Sequence, residues 1–169
     1  VTLSSVERVV VDADGDVTVS ASRYTTGVNS IGITNKTQGS VTLFDLQEAG
    51  PGLTFDLNDV SADVTLNFDQ QAAQGANAVD VTLTEVTGAL SLVGEGVEAI
   101  ETVNLHVADL KGAASMLKSL GATKATTLNI DGGLAGQKFV IAAPLPATLA
   151  TVDASTFVGN LVLDSTAMD

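Results

Sequence analysis

The feature that most constrains this chain is a short strand-like run that recurs about every twelve residues. Apolar residues alternate with Thr, Ser or Asn in these runs, as in Val17-Thr18-Val19 and Val64-Thr65-Leu66. Such alternation places the apolar side chains on one face of a β-strand and the polar ones on the other. In the first half of the chain the run centres are 11, 13, 12 and 11 residues apart, at Val17, Val28, Val41, Leu53 and Val64.

A fixed short period favours an architecture of stacked repeats. A rung made of one strand and one turn cannot bury its apolar face alone, so neighbouring rungs must stack. We therefore predict one all-β domain over residues 1–169, folded as a parallel β-solenoid-like stack of short strands. The alternative is a β-sandwich, which also spaces short strands by about 8–12 residues. Asp14-Gly15, a strong hairpin signal between two apolar runs, supports that alternative.

One segment departs from the strand pattern and predicts a short α-helix at about 109–121. Its apolar residues are spaced as one face of a helix, at Ala113, Met116, Leu117 and Leu120. Asp109 suits the N-cap position and Gly121 suits the C-terminal end. We expect this helix to pack on one side of the β core or over its end.

The charge balance excludes several classes of partner. The chain has 7 Lys and Arg against 20 Asp and Glu, for a net charge of −13. Nucleic-acid binding needs clustered cations, and an anionic membrane surface would repel this chain, so neither partner is expected. No apolar run approaches the roughly 20 residues that span a bilayer, so we expect no membrane insertion. The absence of Cys excludes disulfides and thiolate chemistry.

Asp12, Asp14 and Asp16 form the sharpest polar cluster. Three carboxylates at alternate positions around Gly15 are able to converge on one hard cation, and we predict Ca²⁺ as that ion. Arg23 stands where an EF-hand loop carries its final Glu, so the cluster is not an EF-hand. The alternative is a polar turn in which the Asp side chains solvate a bend.

Catalytic motifs are absent from the sequence, and we predict that the chain is not an enzyme. His106 is the only histidine. It alternates with Val103, Leu105 and Val107, so it is expected to point away from the core. The sequence contains no nucleophile elbow, phosphate-binding loop or zinc motif.

Two segments carry a family resemblance. Residues 97–105 (VEAIETVNL) and 149–163 (LATVDASTFVGNLVL) resemble rungs of bacterial surface-layer (S-layer) proteins and of large adhesins secreted by the type I route. The resemblance implies an acidic, extracellular protein with a right-handed parallel β-solenoid fold that needs Ca²⁺ to fold or to form lattices. The calcium-binding nonapeptide array of that group is missing here. The strand pattern starts at Val1 without an initiator Met or a charged leader, so we expect a processed chain or a piece of a longer surface protein.

These observations lead to a structural hypothesis for function. We expect a cell-surface domain of the S-layer or adhesin type that self-associates with Ca²⁺ stabilisation. Its expected partners are copies of itself, neighbouring domains of the same protein, or cell-surface polysaccharide. One alternative is a β-sandwich module that binds a glycan or another ligand. The other is a polysaccharide-acting β-helix enzyme, which the short chain and the lack of a basic cluster disfavour.

Overall fold

The computed structural model of the chain describes residues 6–21, 27–37, 39–47, 49, 52–70, 72, 77–95, 100–108, 115–122 and 124–168. These residues form strands, turns and irregular segments and contain no helix. The strands are, in chain order, β1 (Arg8–Asp12), β2 (Val17–Ser20), β3 (Ser30–Asn35), β4 (Ser40–Leu46), β5 (Thr54–Val60), β6 (Asp63–Phe68), β7 (Ala78–Thr84), β8 (Leu90–Gly94), β9 (Thr102–Val107), β10 (Met116–Leu117), β11 (Leu120–Gly121), β12 (Thr127–Gly132), β13 (Lys138–Pro144), β14 (Thr151–Asp153) and β15 (Asn160–Asp164).

The strands stack into three parallel sheets that make a β-solenoid of about six turns. Sheet A has the order β1-β3-β5-β7-β9-β12-β14, sheet B the order β11-β8-β6-β4-β2, and sheet C the order β10-β13-β15. The predicted parallel solenoid is confirmed, and the sandwich alternative is not the fold. β1 pairs with β3 and β2 pairs with β4, so Asp14-Gly15 forms a corner between two sheets instead of a hairpin turn.

The described turns of the solenoid contain two strands each, apart from the turn made of β9, β10 and β11, and the expectation of one strand per rung is wrong. Arg8 pairs with Ser30, Ser30 with Thr54 and Thr54 with Asp80, so equivalent residues are 22 to 26 positions apart. The period of about twelve in the sequence is therefore half a turn. Consecutive runs lie in different sheets. The alternation shows which face of each strand is buried, but it does not show which strand is its neighbour.

The core consists of aliphatic columns that run along the stack between the sheets. One column of sheet A comprises Val9, Ile31, Phe55, Val81, Leu105 and Ile130. The facing column of sheet B comprises Val17, Val41, Val64, Leu90 and Leu120. Phe55 and Phe68 meet edge to face across the interior, with ring centroids 5.9 Å apart. In the middle rungs these side chains leave water almost completely, as with Leu66 at 0% exposure, and this burial is the main stabilising term of the fold.

The helix predicted at about 109–121 is wrong for residues 115–121, and residues 109–114 lie outside the described part of the chain. Met116–Leu117 and Leu120–Gly121 are the short strands β10 and β11. Leu117 and Leu120 both point inward because Lys118 and Ser119 separate the two strands, and the resulting spacing of three imitates a helix face. No described residue belongs to a helix of the length and apolarity that a membrane span requires.

Candidate functional site

The three residues predicted to bind Ca²⁺ lie at the first corner, between β1 and β2. Asp12 Oδ1 accepts a hydrogen bond from the Thr34 hydroxyl at 2.8 Å, and Asp16 Oδ1 accepts one from the Ser40 backbone N–H at 2.7 Å. Asp14 is exposed between them. Among the described residues, no three His, Cys, Asp or Glu side chains are grouped so that they could hold a metal ion. Two of the carboxylates therefore join neighbouring rungs, and Ca²⁺ binding at this corner stays a prediction.

The tetrapeptide Asp-Val-Thr-(Val or Leu) occurs three times in the sequence, beginning at Asp16, Asp63 and Asp80, and its first two copies lie at corners of the stack. Asp16 and Asp63 both precede the inward Val of a sheet B strand, and each accepts a backbone N–H from the next rung. Ser40 lies between them in the same column and donates its hydroxyl to Asp16 at 3.0 Å. Alternation of Asp with Ser keeps two carboxylates from standing about 4.8 Å apart on adjacent strands. Asp80 opens the third copy of the tetrapeptide but lies within β7 of sheet A, so the repeat occupies two different positions.

Asn35 is a buried polar residue that joins two rungs at the first corner. It begins an Asn-x-Thr triplet, the acceptor pattern for N-glycosylation. Its side-chain amide donates to the Gly15 carbonyl at 3.1 Å and accepts from the Thr37 backbone N–H at 2.9 Å. With Asn35 only 1% exposed, this amide is a buried clamp between rungs and is inaccessible to a glycosylating enzyme in the folded protein.

A polar ladder runs over the outer face of sheet A. Asp80, Asn104 and Asn129 occupy one column on three successive rungs. The Asn104 amide donates to Asp80 at 2.6 Å, and the Asn129 amide donates to Asn104 at 2.8 Å. In the neighbouring column, His106 Nδ1 donates to Asp131 Oδ1. His106 points outward, as the alternation predicted, and its Nε2 is not used by this pair.

These two columns border a shallow groove of about 420 Å³. Its polar lining residues are Thr54, Asp80, Thr82, Asn104, His106, Asn129 and Asp131. The side chains of His106 and Asp131 are each 56% exposed, so the groove is open to water. Amides, carboxylates and one imidazole offer both donors and acceptors to a polar ligand. Sequence reasoning missed the pairing of His106 with Asp131, because the two residues are 25 positions apart, about one full turn, and the sequence period of about twelve marks only half a turn.

Interior apolar residues in the first and last described rungs are less buried than those of the middle rungs. At the first end, Val9, Val11, Val17 and Val19 are only half-buried. An apolar cavity of about 110 Å³ opens there, and it is lined by Val9, Val11, Val19, Ala21, Ile31 and Leu43. At the other end the half-buried interior residues are Val152, Ala154, Phe157, Leu161 and Leu163. The equivalent residues of the middle rungs are buried, so the ends expose the apolar surface that stacking covers elsewhere.

Local hydrogen bonds shift the pKa of three exposed groups. The Asp59 carboxylate, 2.6 Å from the Lys36 ammonium, raises the pKa of that lysine. A hydrogen bond from the Ser155 backbone N–H lowers the pKa of Asp153, and the Thr166 hydroxyl lowers that of Asp164.

Comparisons of this chain with protein-family models, with curated proteins and with solved structures give no match.

Proposed function

We propose that this chain is a structural domain of an extracellular, cell-surface protein of the S-layer or adhesin type, and that its work is self-association without catalysis. The observation that carries the proposal is the half-burial of interior apolar residues in the first and last described rungs, whereas the middle rungs bury the equivalent side chains. Edge strands with free N–H and C=O groups pair readily with another chain, and stacked repeats need a partner or a cap at each end. The S-layer-like rungs at 97–105 and 149–163 support the same assignment.

The proposal is tested by substituting residues at the two ends and measuring whether the protein still assembles. The wild-type mass, measured by light scattering after size exclusion, is expected to rise with protein concentration. Val11→Asn at the first end and Leu163→Asn at the second place an amide on the uncovered apolar surface, and both are expected to remain monomeric. Thr42→Asn, on the outer face of sheet B in the middle of the stack, is the matched control and should assemble like the wild type. Circular dichroism checks that every variant folds. A wild type that stays monomeric at all concentrations, with and without Ca²⁺, contradicts the proposal.

Ca²⁺ stabilisation belongs to the same proposal and has a separate test. The triple variant Asp12→Asn, Asp14→Asn, Asp16→Asn removes the charge, while its amide oxygens still accept hydrogen bonds from Thr34 and Ser40. Ca²⁺ at one hundred times its Kd is expected to increase the free energy of unfolding of the wild type by about 2.7 kcal/mol. This gain is measured as a higher melting temperature. The triple variant should lose that gain, and Mg²⁺ should not reproduce it. Equal Ca²⁺ responses of the two proteins would place any calcium site elsewhere.

The groove on sheet A favours a second candidate function, the binding of cell-surface polysaccharide. Its ladder of amides and carboxylates follows the stack axis, so an extended hydroxyl-rich chain would meet equivalent groups on successive rungs. Asn104→Ala together with Asn129→Ala is expected to weaken polysaccharide binding, measured by calorimetry, about tenfold or more. Thr42→Ala on the opposite sheet is the control. Release of new chain ends from the polysaccharide would show instead that His106, Asp80 and Asp131 belong to an enzyme.

A further inference from the structure

The groove on the outer face of sheet A is poor in positive charge. Its described lining includes the carboxylates of Asp80 and Asp131 and contains no Lys or Arg. Arg8 lies in the same column as Asp80 but three rungs before it, and its guanidinium is 3.6 Å from Asp56. Of the lining residues only His106 is able to take up a positive charge, and its Nδ1 already donates to Asp131. A polymer with carboxylate or sulfate groups would therefore meet like charge in this groove.

The hydrogen bonds inside the groove leave acceptors without donors. The amide ladder runs in one direction, since Asn129 donates to Asn104 at 2.8 Å and Asn104 donates to Asp80 Oδ1 at 2.6 Å. The ladder therefore ends on a carboxylate, whose Oδ2 accepts no hydrogen bond from the described part of the chain. Asp131 likewise accepts from His106 through Oδ1 only. Because a carboxylate has room for about four hydrogen bonds and donates none, these two residues favour a ligand rich in donors.

The spacing of the two carboxylates suits an extended polysaccharide. Asp80 lies on β7 and Asp131 on β12, with β9 between them, so they are two rungs apart, or about 10 Å along the stack axis. In an extended chain of β-1,4-linked sugars, equivalent groups on one side of the chain recur with every second sugar, at nearly the same distance. Asn104 and His106 lie on the rung between the two carboxylates, where they offer an amide N–H and a ring nitrogen to the hydroxyl groups of the intervening sugar.

We infer that the groove binds a polysaccharide of amino sugars whose amines are free, with one ammonium at Asp80 and a second, two sugars further along, at Asp131. An ammonium supplies three donors and a positive charge. An N-acetylated amine supplies one donor and no charge, and it adds a carbonyl acceptor to a groove that already has acceptors to spare. This inference rests on polysaccharide binding, the second candidate function, and adds the class of sugar.

Three defined oligosaccharides test the choice of sugar. The probes are hexamers of β-1,4-linked glucosamine, of β-1,4-linked N-acetylglucosamine and of galacturonic acid, and calorimetry measures their binding at a pH at which the sugar amines are protonated. The glucosamine hexamer is expected to bind about tenfold more tightly than its N-acetylated form, because two ion pairs at an exposed site are together worth about that factor. The galacturonic acid hexamer is expected to bind more weakly than both.

Two double variants separate the groove from the net charge of the chain. Asp80→Asn with Asp131→Asn removes both carboxylates, while the amide oxygens still accept from Asn104 and His106, and the preference for free amines is expected to disappear. Asp14→Asn with Asp16→Asn is the matched control, because it removes the same charge from exposed residues at the first corner. The control should keep the tenfold preference of the wild type. Circular dichroism checks that both variants fold.

Hexalysine, a flexible polycation without sugar rings, shows whether the groove recognises more than charge. It is expected to bind the two double variants equally well. Hexalysine that binds the wild type as tightly as the glucosamine hexamer, and loses affinity only when Asp80 and Asp131 are replaced, would overturn the inference, because the groove would then recognise charge alone.

The remaining outcomes separate this inference from the function on which it rests. Equal affinities for the glucosamine and N-acetylglucosamine hexamers, both weakened by Asn104→Ala with Asn129→Ala, overturn the choice of sugar and leave polysaccharide binding standing. Equal loss of the preference in the Asp80–Asp131 variant and in its control overturns the assignment to the groove. Failure of all three hexamers to bind the wild type counts against polysaccharide binding and removes this inference with it.

Discussion

Three acidic residues adopt the left-handed backbone conformation that L-residues disfavour, and all three lie where a strand of the stack bends. Asp45 and Asp59 have φ of 56°, and Glu85 has φ of 53°. The register shifts between Leu43 and Leu46 and between Leu57 and Val60 show that Asp45 and Asp59 are extra residues in bulges. Short Asp side chains are comparatively common in this conformation, whereas Glu is not.

Replacement of Glu85 by glycine is expected to stabilise the protein. Glycine adopts positive φ without a steric penalty, and the expected gain in the free energy of unfolding is about 0.5–1 kcal/mol, after the extra entropy of the unfolded chain is subtracted. Urea denaturation monitored by circular dichroism measures it. Thr84→Gly, one residue earlier in β7, is the control and should cost about 0.5–1 kcal/mol, because Thr84 has ordinary strand geometry. A loss of stability in both variants would show that φ at residue 85 is not strained.

At the scale of strands and corners, the sequence predicts which residues are buried and fails to predict which strands are neighbours. Val17, Val41 and Val64 were expected to face a core, and they do. Asp14-Gly15 suggested a hairpin because a turn signal fixes where the chain bends but not whether the next strand returns to the same sheet. That choice depends on how far apart the two sheets stand, and contacts between residues about 24 positions apart determine it. His106 and Asp131 were missed as a pair for the same reason.

The corner at Gly88 leads to a prediction about close packing between rungs. A Cβ at this position would lie 1.7 Å from the carbonyl oxygen of Ala62 on the preceding rung. The residues on either side of Ala62 hold that backbone in place, since Ser61 N–H donates to the Asn35 carbonyl and Asp63 N–H to the Gly39 carbonyl. Gly88→Ala is therefore expected to lower the free energy of unfolding by about 3 kcal/mol or more. Gly121→Ala is the control, because the nearest atom to its Cβ would be the Ser91 hydroxyl oxygen, at 3.2 Å, and the nearest backbone atom would be Ser91 Cα, at 3.6 Å. Similar melting temperatures for the two variants would mean that the Ala62 backbone moves to accommodate the added methyl group at little cost in free energy.

At the scale of the whole molecule, stability is distributed along the stack. Each rung contacts mainly the rungs before and after it, so the solenoid is close to a one-dimensional array. Composition alone indicates such an array, since Val, Leu, Ile and Ala fill thin layers without large aromatic residues. The number of strands per layer does not follow from composition, because a layer of one strand and a layer of two need the same residues.

A layer of two strands predicts that one complete turn can be removed. Leu57 and Leu83 are equivalent residues of adjacent rungs. Deletion of residues 57–82 joins Asp56 to Leu83, so the inward and outward positions of the fused strand stay in phase. This variant is expected to fold into a shorter solenoid with a β-type circular dichroism spectrum and a single cooperative transition at a somewhat lower melting temperature.

Deletion of residues 57–81 is the matched control, because it leaves one more residue in the middle of the same strand. Thr82 then takes the inward place of Leu57, and Leu83 turns toward solvent. A shift of one residue exchanges the two faces of a strand, and no loop lies within the strand to absorb it. The control is expected to unfold at a much lower temperature than the in-phase deletion or to remain unfolded. Equal stability of the two deletions would mean that rungs do not hold one another in register.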